Sequence, residues 1–107
     1  MRIITVAQAA ELDQKAMQDH GISGIDLMGA AGKAIAEEVK KIAADIHDPR
    51  TVIVCGKGNN GGDGFAAATC IDQFSVQVFS IVDQDDIKGD SAHFHELCIQ
   101  KKVTIHY

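Results

Sequence analysis

The sequence lacks any run of the roughly 18 consecutive apolar residues that would cross a bilayer, so no membrane span is expected. Its first residues, Met1-Arg2-Ile3-Ile4, carry no signal-peptide apolar core or cleavage site, which points to a soluble cytoplasmic protein. Cysteine is scarce: Cys55, Cys70 and Cys98 are odd in number, widely spaced and free of any C-x-x-C pair. That argues against a disulfide framework or zinc ribbon and leaves reduced thiols, with Cys55 packing as a small core residue. Basic charge is also short. Lys and Arg number 10 against 15 Asp and Glu, giving a formal net charge of −5. Such a surface repels phosphate backbones, so nucleic acid and anionic membranes are disfavoured as partners. Any anionic ligand must be held by local groups. No repeat, low-complexity segment or linker divides the chain, and 107 residues suit one domain.

Helical and strand patterns follow one another. Thr5-Val6-Ala7-Gln8 has the form of a capping box, in which the threonine hydroxyl accepts from a free N–H and the glutamine reaches back. Ala9, Leu12, Ala16 and Met17 then share a helical face, and Gly21 suits the left-handed residue that closes the helix. Ser23-Gly24-Ile25-Asp26 opens a second helix. Its apolar stripe is Leu27, Met28, Ala31, Ile35, Val39 and Ile42, and its wet side is Glu37, Glu38, Lys40 and Lys41. The small residues Gly29, Ala30, Ala31 and Gly32 admit close approach of the sheet, a ligand or a second subunit, so a homodimer through this face is one expectation.

Pro49, in the turn Asp48-Pro49-Arg50, stops the helix. Thr51-Val52-Ile53-Val54-Cys55 is a continuous apolar run of the kind found in a central parallel strand buried on both faces. A helix over 65–71, a strand over 76–82, an acidic turn over 83–86, a helix over 89–101 and a strand over 103–105 follow. Two helices and then alternating strands and helices predict an α/β fold. The expected form is a Rossmann-like α/β/α sandwich with a mainly parallel sheet and right-handed crossovers. The sequence reaches Tyr107 in a strand with no closing helix, so residues 1–107 read as a single, incomplete domain.

The segment Gly56-Lys57-Gly58-Asn59-Asn60-Gly61-Gly62-Asp63-Gly64 carries the chemistry. Five glycines in nine positions read as a loop whose backbone approaches a ligand, not as packing. Between a buried strand and a helix, its free N–H groups suit a phosphate. Asn59, Asn60 and Asp63 add oxygens for a hard cation and donors for sugar or amide groups, and Asp63 also suits a helix cap.

Gly56, Gly58 and Gly61 satisfy G-x-G-x-x-G, and Asp83 stands about where a ribose-binding acid is expected, so an NAD(P)-dependent oxidoreductase fragment is a rival reading. Against it, Gly62-Asp63-Gly64 is expected to delay the helix and adds polar atoms that a simple dinucleotide turn does not need. No G-K-[ST] closes the segment, which excludes a Walker A loop. His93 and His95 are two apart and point different ways on a helix, so a metal pair is not expected.

Gly58-Asn59-Asn60-Gly61-Gly62-Asp63-Gly64 is similar to the signature of the YjeF N-terminal domain family. The resemblance continues in Glu11-Leu12-Asp13, in Gly21-Ile22-Ser23 with Leu27-Met28 and Ala31-Gly32, and in Lys88-Gly89-Asp90-Ser91-Ala92. It covers nearly all of this chain and about the first half of the family domain. It implies a Rossmann-like fold and NAD(P)H-hydrate epimerase activity, an isomerase that interconverts the R and S forms of NADH or NADPH hydrated at C6. A dehydratase specific for one form, fused in many bacterial members, is the implied co-worker.

The resemblance further implies that Asn59, Asn60, Gly61, Gly62 and Asp63 contact the substrate and that Asn60 helps hold a potassium ion. Two departures stand out. Gly29 replaces the glutamate, and Ala30 the polar residue, that normally follow the Leu27-Met28 position. The family's further aspartates, for the ion and for the chemistry, are expected beyond Tyr107, so residues 1–107 alone are expected to bind weakly and turn over little. Some members whose catalytic residues have decayed are dimerising scaffolds, which makes a non-catalytic interaction module the alternative.

Overall fold

A computed structural model describes residues 21–107. The capping box at Thr5-Val6-Ala7-Gln8, the helix through Met17 and Glu11-Leu12-Asp13 lie outside those residues. Gly21 has the positive φ expected of it, +64°. Ser23 caps α1 (Gly24–Ala43), its hydroxyl accepting from the Asp26 N–H at 3.0 Å. Such a bond satisfies one of the donors a helix start leaves open and is worth about 1 kcal/mol. Glu37 with Lys40 and Glu38 with Lys41 pair along the wet side at 3.6 and 3.0 Å.

The chain then runs β1 (Arg50–Cys55), α2 (Asn59–Thr69), β2 (Ser75–Ser80), a short 3₁₀ turn (Gln84–Asp86), α3 (Asp90–Gln100) and β3 (Thr104–His106). The strands form one sheet in the order β1-β2-β3, and both pairings are parallel. Cys55 stands opposite Ser80, so β1 and β2 end level with each other. This is the expected α/β class with its parallel sheet. Ser80 ends β2 earlier than the apolar run suggests: its hydroxyl donates to the Val82 carbonyl at 2.7 Å and accepts from the Val82 N–H at 3.2 Å. Among the described residues no helix is long and apolar enough to cross a membrane.

The core forms where α2 meets its neighbours. Ala66, Ala67 and Ala68 are buried because α2 touches α1, α3, β1 and β2 at once. Met28, Cys55, Phe65, Val78, Phe94 and Cys98 join Ala66 and Ala68 in one cluster.

Three expectations need correction. The stripe of α1 that meets the core is Met28, Gly32, Ala36 and Ala43, whereas Ile35 and Ile42 are exposed. Small residues win there because α1 crosses close over α2, where a side chain on Gly32 would strike Ala66. Second, β1 is the first strand of the described sheet, not a central one, and only alternate residues are covered: Val54 is 66% exposed while Val78 on β2 is 0% exposed. With Val52, Phe79 and Ile81 it forms an apolar face that the described helices leave open. Third, the glycine-rich segment is helical from Asn59, not from Phe65.

The two faces of the sheet should therefore answer differently to truncation. Phe94→Ala is expected to lower unfolding free energy by about 3 kcal/mol, the usual cost of emptying a packed aromatic site. Val54→Ala should change it by about 0.5 kcal/mol, as for exposed positions. Urea denaturation of both variants checks the contrast, and equal losses would show that the open face is covered in solution.

Candidate functional site

Glycine costs about 1 kcal/mol per residue inside a helix relative to alanine, which is why 56–64 reads as a loop. The structure gives a different reason for the composition. Only Gly58 uses backbone freedom, with φ of +77° at the N-cap of α2. Gly61, one turn into the helix, lies against the turn that precedes it, where a Cβ would collide with the Gly56 carbonyl oxygen. Gly62 and Gly64 fill similar close contacts, with Met28 and Ser91 over the first and Cys55 under the second. Packing, which the composition seemed to exclude, thus accounts for three of the five glycines, Gly61, Gly62 and Gly64. Gly62-Asp63-Gly64 does not delay the helix, and Gly58, not Asp63, is its cap residue.

Gly58 has no side chain to cap α2. Its carbonyl accepts from the Gly62 N–H at 3.3 Å, the first bond of the helix. The N–H groups of Asn59, Asn60 and Gly61 precede that bond, so they point out of the helix end with its partial positive charge. The same Gly58 carbonyl accepts from the Ser91 hydroxyl at 2.9 Å. That bond ties the start of α3 to the start of α2. The start of α3 is built alike, with Gly89 at the N-cap, φ +64° and no side-chain cap.

A cleft of about 650 Å³ opens here, at the ends of β1 and β2. Gly56, Lys57, Gly58 and Gly61 line one wall, and Phe65 lies deeper along α2. The chain leaving β2 supplies Ile81, Val82, Asp83 and Asp86, and the approach to α3 supplies Ile87, Lys88 and Ser91. The walls therefore mix apolar side chains with two cations, two anions and the backbone of the glycine turn. That mixture suits a phosphorylated ligand with an apolar or aromatic part.

Of the five residues singled out from the sequence as substrate contacts, Gly61 lines this cleft. Asn59 and Asn60 are exposed on the first turn of α2, Gly62 is buried beneath Met28 and Ser91, and Asp63 is half-buried in the second turn. Asp83, the candidate ribose acid, does face the glycine segment across the cleft. Sequence reasoning assigned no site role to Ser91, Lys88, Ile81 or Ile87. The signal for Ser91 and Lys88 lay in Lys88-Gly89-Asp90-Ser91-Ala92, read there only as a helix start.

Behind Phe65 lies a second polar pair. The His95 ring meets Phe65 edge-on at 5.2 Å, and its Nε2 is 2.7 Å from the Tyr107 hydroxyl. Burial lowers the His95 pKa below its ordinary 6.5, with Glu96 acting in the opposite sense. Burial pushes the thiols of Cys55 and Cys98 up to about 11 and about 12, so both stay protonated and poorly nucleophilic near neutrality.

Comparison with known proteins shows the family and the fold. The family model described as YjeF-related protein N-terminus matches residues 24–107. The chain belongs to that family. A relative named NAD(P)H-hydrate epimerase, from Rhodopirellula baltica, is 34% identical over 94% of this chain and 38% of its own length. The bifunctional NAD(P)H-hydrate repair enzyme Nnr of Moorella thermoacetica is 35% identical over 85% of this chain and 18% of its own length. The crystal structure of the yeast protein ynu0 shares the fold, with a TM-score of 0.83 and 22% identity over 99% of this chain and 47% of the yeast chain. The chain thus spans less than half the length of these relatives.

Two outcomes follow. Gly61→Ala forces a methyl group onto the Gly56 carbonyl and is expected to cost about 1–3 kcal/mol, as overpacking does. Asn59→Ala, on the exposed turn, is expected to change stability by about 0.5 kcal/mol; equal denaturation midpoints for the two variants would show the contact to be slack. For His95, folding favours the neutral ring. The unfolded chain takes up a proton near pH 6.5 that the folded chain resists. Its stabilising contribution is therefore whole above that pH and is lost as pH falls through the lower folded value. Between about pH 7.5 and 5.5 the wild type should lose more stability than His95→Gln. Parallel pH profiles would contradict the assignment.

Proposed function

We propose that the protein acts in nicotinamide-nucleotide repair as an NAD(P)H-hydrate epimerase, interconverting the R and S forms of NADH or NADPH hydrated at C6. The observation that carries this is the join of two helix starts at one cleft. The first N–H groups of α2, which precede its first helical bond, and the Ser91–Gly58 bond that joins the two helix starts favour a phosphate of the nucleotide at this end of the cleft. Family membership and the names of the relatives then favour hydrated nicotinamide nucleotides over other phosphorylated ligands.

On this reading Gly61 and its neighbours Asn59, Asn60, Gly62 and Asp63 form the binding turn. Asn59 and Asn60 offer exposed side chains to the ligand. Gly62 acts through its close packing, which keeps the turn against Ser91. Lys57 and Lys88 offset ligand charge from the walls. Inversion at C6 breaks and remakes a C–O bond, so an acid must protonate the departing hydroxyl or a dipole must stabilise the ring cation. That acid is assigned to no residue here. A dehydratase, fused as in the bifunctional relative or separate, would consume the product.

A potassium ion fits the turn through oxygen chemistry. Asn60 is exposed and presents an amide oxygen, the hard, neutral ligand such ions take. Among the described residues no group of three His, Cys, Asp or Glu side chains could hold a metal ion, so carbonyl and amide oxygens would have to do so. When bound, the ion would supply positive charge that fixes the turn and offsets substrate phosphate.

A second reading, a non-catalytic dimerising module, draws on Gly29. Where the family motif has a glutamate, a Cβ here would sit 3.4 Å from the ring of Phe94. Titration separates the readings. Hydrated NADH and intact NADH are each added to labelled protein and amide shifts followed by NMR. The repair reading expects tighter binding of the hydrated form, with shifts at Gly58, Gly61 and Ser91. It also expects faster R/S interconversion than in buffer once the full-length protein is used. A clear preference for intact NADH would defeat it, and absence of binding together with dimer formation would favour the module.

A further inference from the structure

Two cations and two anions line the cleft. Lys57 lies within the glycine turn. Lys88 lies three residues before Ser91, whose hydroxyl is bonded to the Gly58 carbonyl. Both cations therefore flank the helix starts. Asp83 and Asp86 come instead from the chain that leaves β2. Resting on the nucleotide-binding reading above, we propose that Asp83 makes the site selective for nucleotides whose adenosine ribose carries a free 2′-hydroxyl. Hydrated NADH is then preferred to its 2′-phosphorylated counterpart.

Three observations meet in this inference. The first is topology: β1 and β2 are adjacent and parallel, with Cys55 level with Ser80. The glycine turn and the Asp83 segment therefore leave the same sheet end on neighbouring strands, about 5 Å apart. The Ile81 N–H even donates to the Cys55 carbonyl at 3.1 Å, holding the two exits together. A phosphate at the first exit puts the ribose hydroxyls of the same nucleotide within reach of an acid at the second.

The second observation is chemical. A carboxylate only accepts, so Asp83 pairs with a hydroxyl donor and has nothing to offer a phosphate. A 2′-phosphate brings a further charge of roughly −2 toward Asp83 and Asp86. Sites that accept this group place an arginine near it, and no described residue lining the cleft is an arginine. The third is shape. Ile81 and Ile87 line the same cleft and give an apolar surface for the adenine ring of the nucleotide.

The test uses ADP-ribose and 2′-phospho-ADP-ribose, which differ in that phosphate alone, titrated calorimetrically into the whole chain. The wild type is expected to bind ADP-ribose about tenfold tighter or more, each tenfold being the scale of one good polar discrimination. Asp83→Ser, a change in an exposed segment, should narrow the gap by weakening ADP-ribose. Asp86→Ser should narrow it less. Equal affinities in the wild type, a preference for the 2′-phospho compound, or a gap untouched by Asp83→Ser would each overturn the selectivity. If neither compound binds, the nucleotide reading itself falls and takes the selectivity with it.

Discussion

The close seating of α2 on the turn before it governs the rest of the structure. Gly61 lies over the Gly56 carbonyl, and Gly64 lies over Cys55. Without side chains at these points the helix descends onto the end of β1. That descent brings Gly61 to the wall of the cleft. It also lets the Gly58 carbonyl accept from both Gly62 and Ser91, which holds α3 against the same point. A helix built of alanine would be locally more favourable, but it could not occupy this position.

Much of the fold is legible in the sequence, for identifiable reasons. Ser23 as cap, the β-branched run of β1 and the alternation of strands with helices are local signals that the tertiary structure leaves intact. What misleads is whatever depends on a neighbour. Ile35 and Ile42 look like core because they are large, yet α1 meets α2 through Gly32 and Ala36, whose small size matters only once the second helix is known. Val52 and Val54 look doubly buried because a strand's apolar run does not say how many layers cover it. Glycines at 61, 62 and 64 look like a loop because intrinsic propensity is blind to what lies 3 Å away.

The site was legible to a similar degree. The position of the glycine turn after a strand, and of Asp83 after the next one, follow from chain order in any parallel sheet. Ser91 does not, since it reaches Gly58 across 33 positions of sequence and only the packing of α3 on α2 brings the two together. His95 and Tyr107 are likewise paired by packing. Spacing on one helix can say that His93 and His95 diverge, but not that one of them is buried next to a tyrosine.

Cys55 occupies the joint between β1 and α2: a Cβ on Gly64 would lie 2.6 Å from its sulfur. Its thiol is 1% exposed and held in the protonated state by burial. An alkylating reagent in solution therefore meets this sulfur when α2 lifts from the strand, an excursion that also dismantles the cleft. The cysteine is thus a built-in clock for local opening, and its rate of labelling measures how often the glycine turn comes apart while the rest of the molecule stays folded.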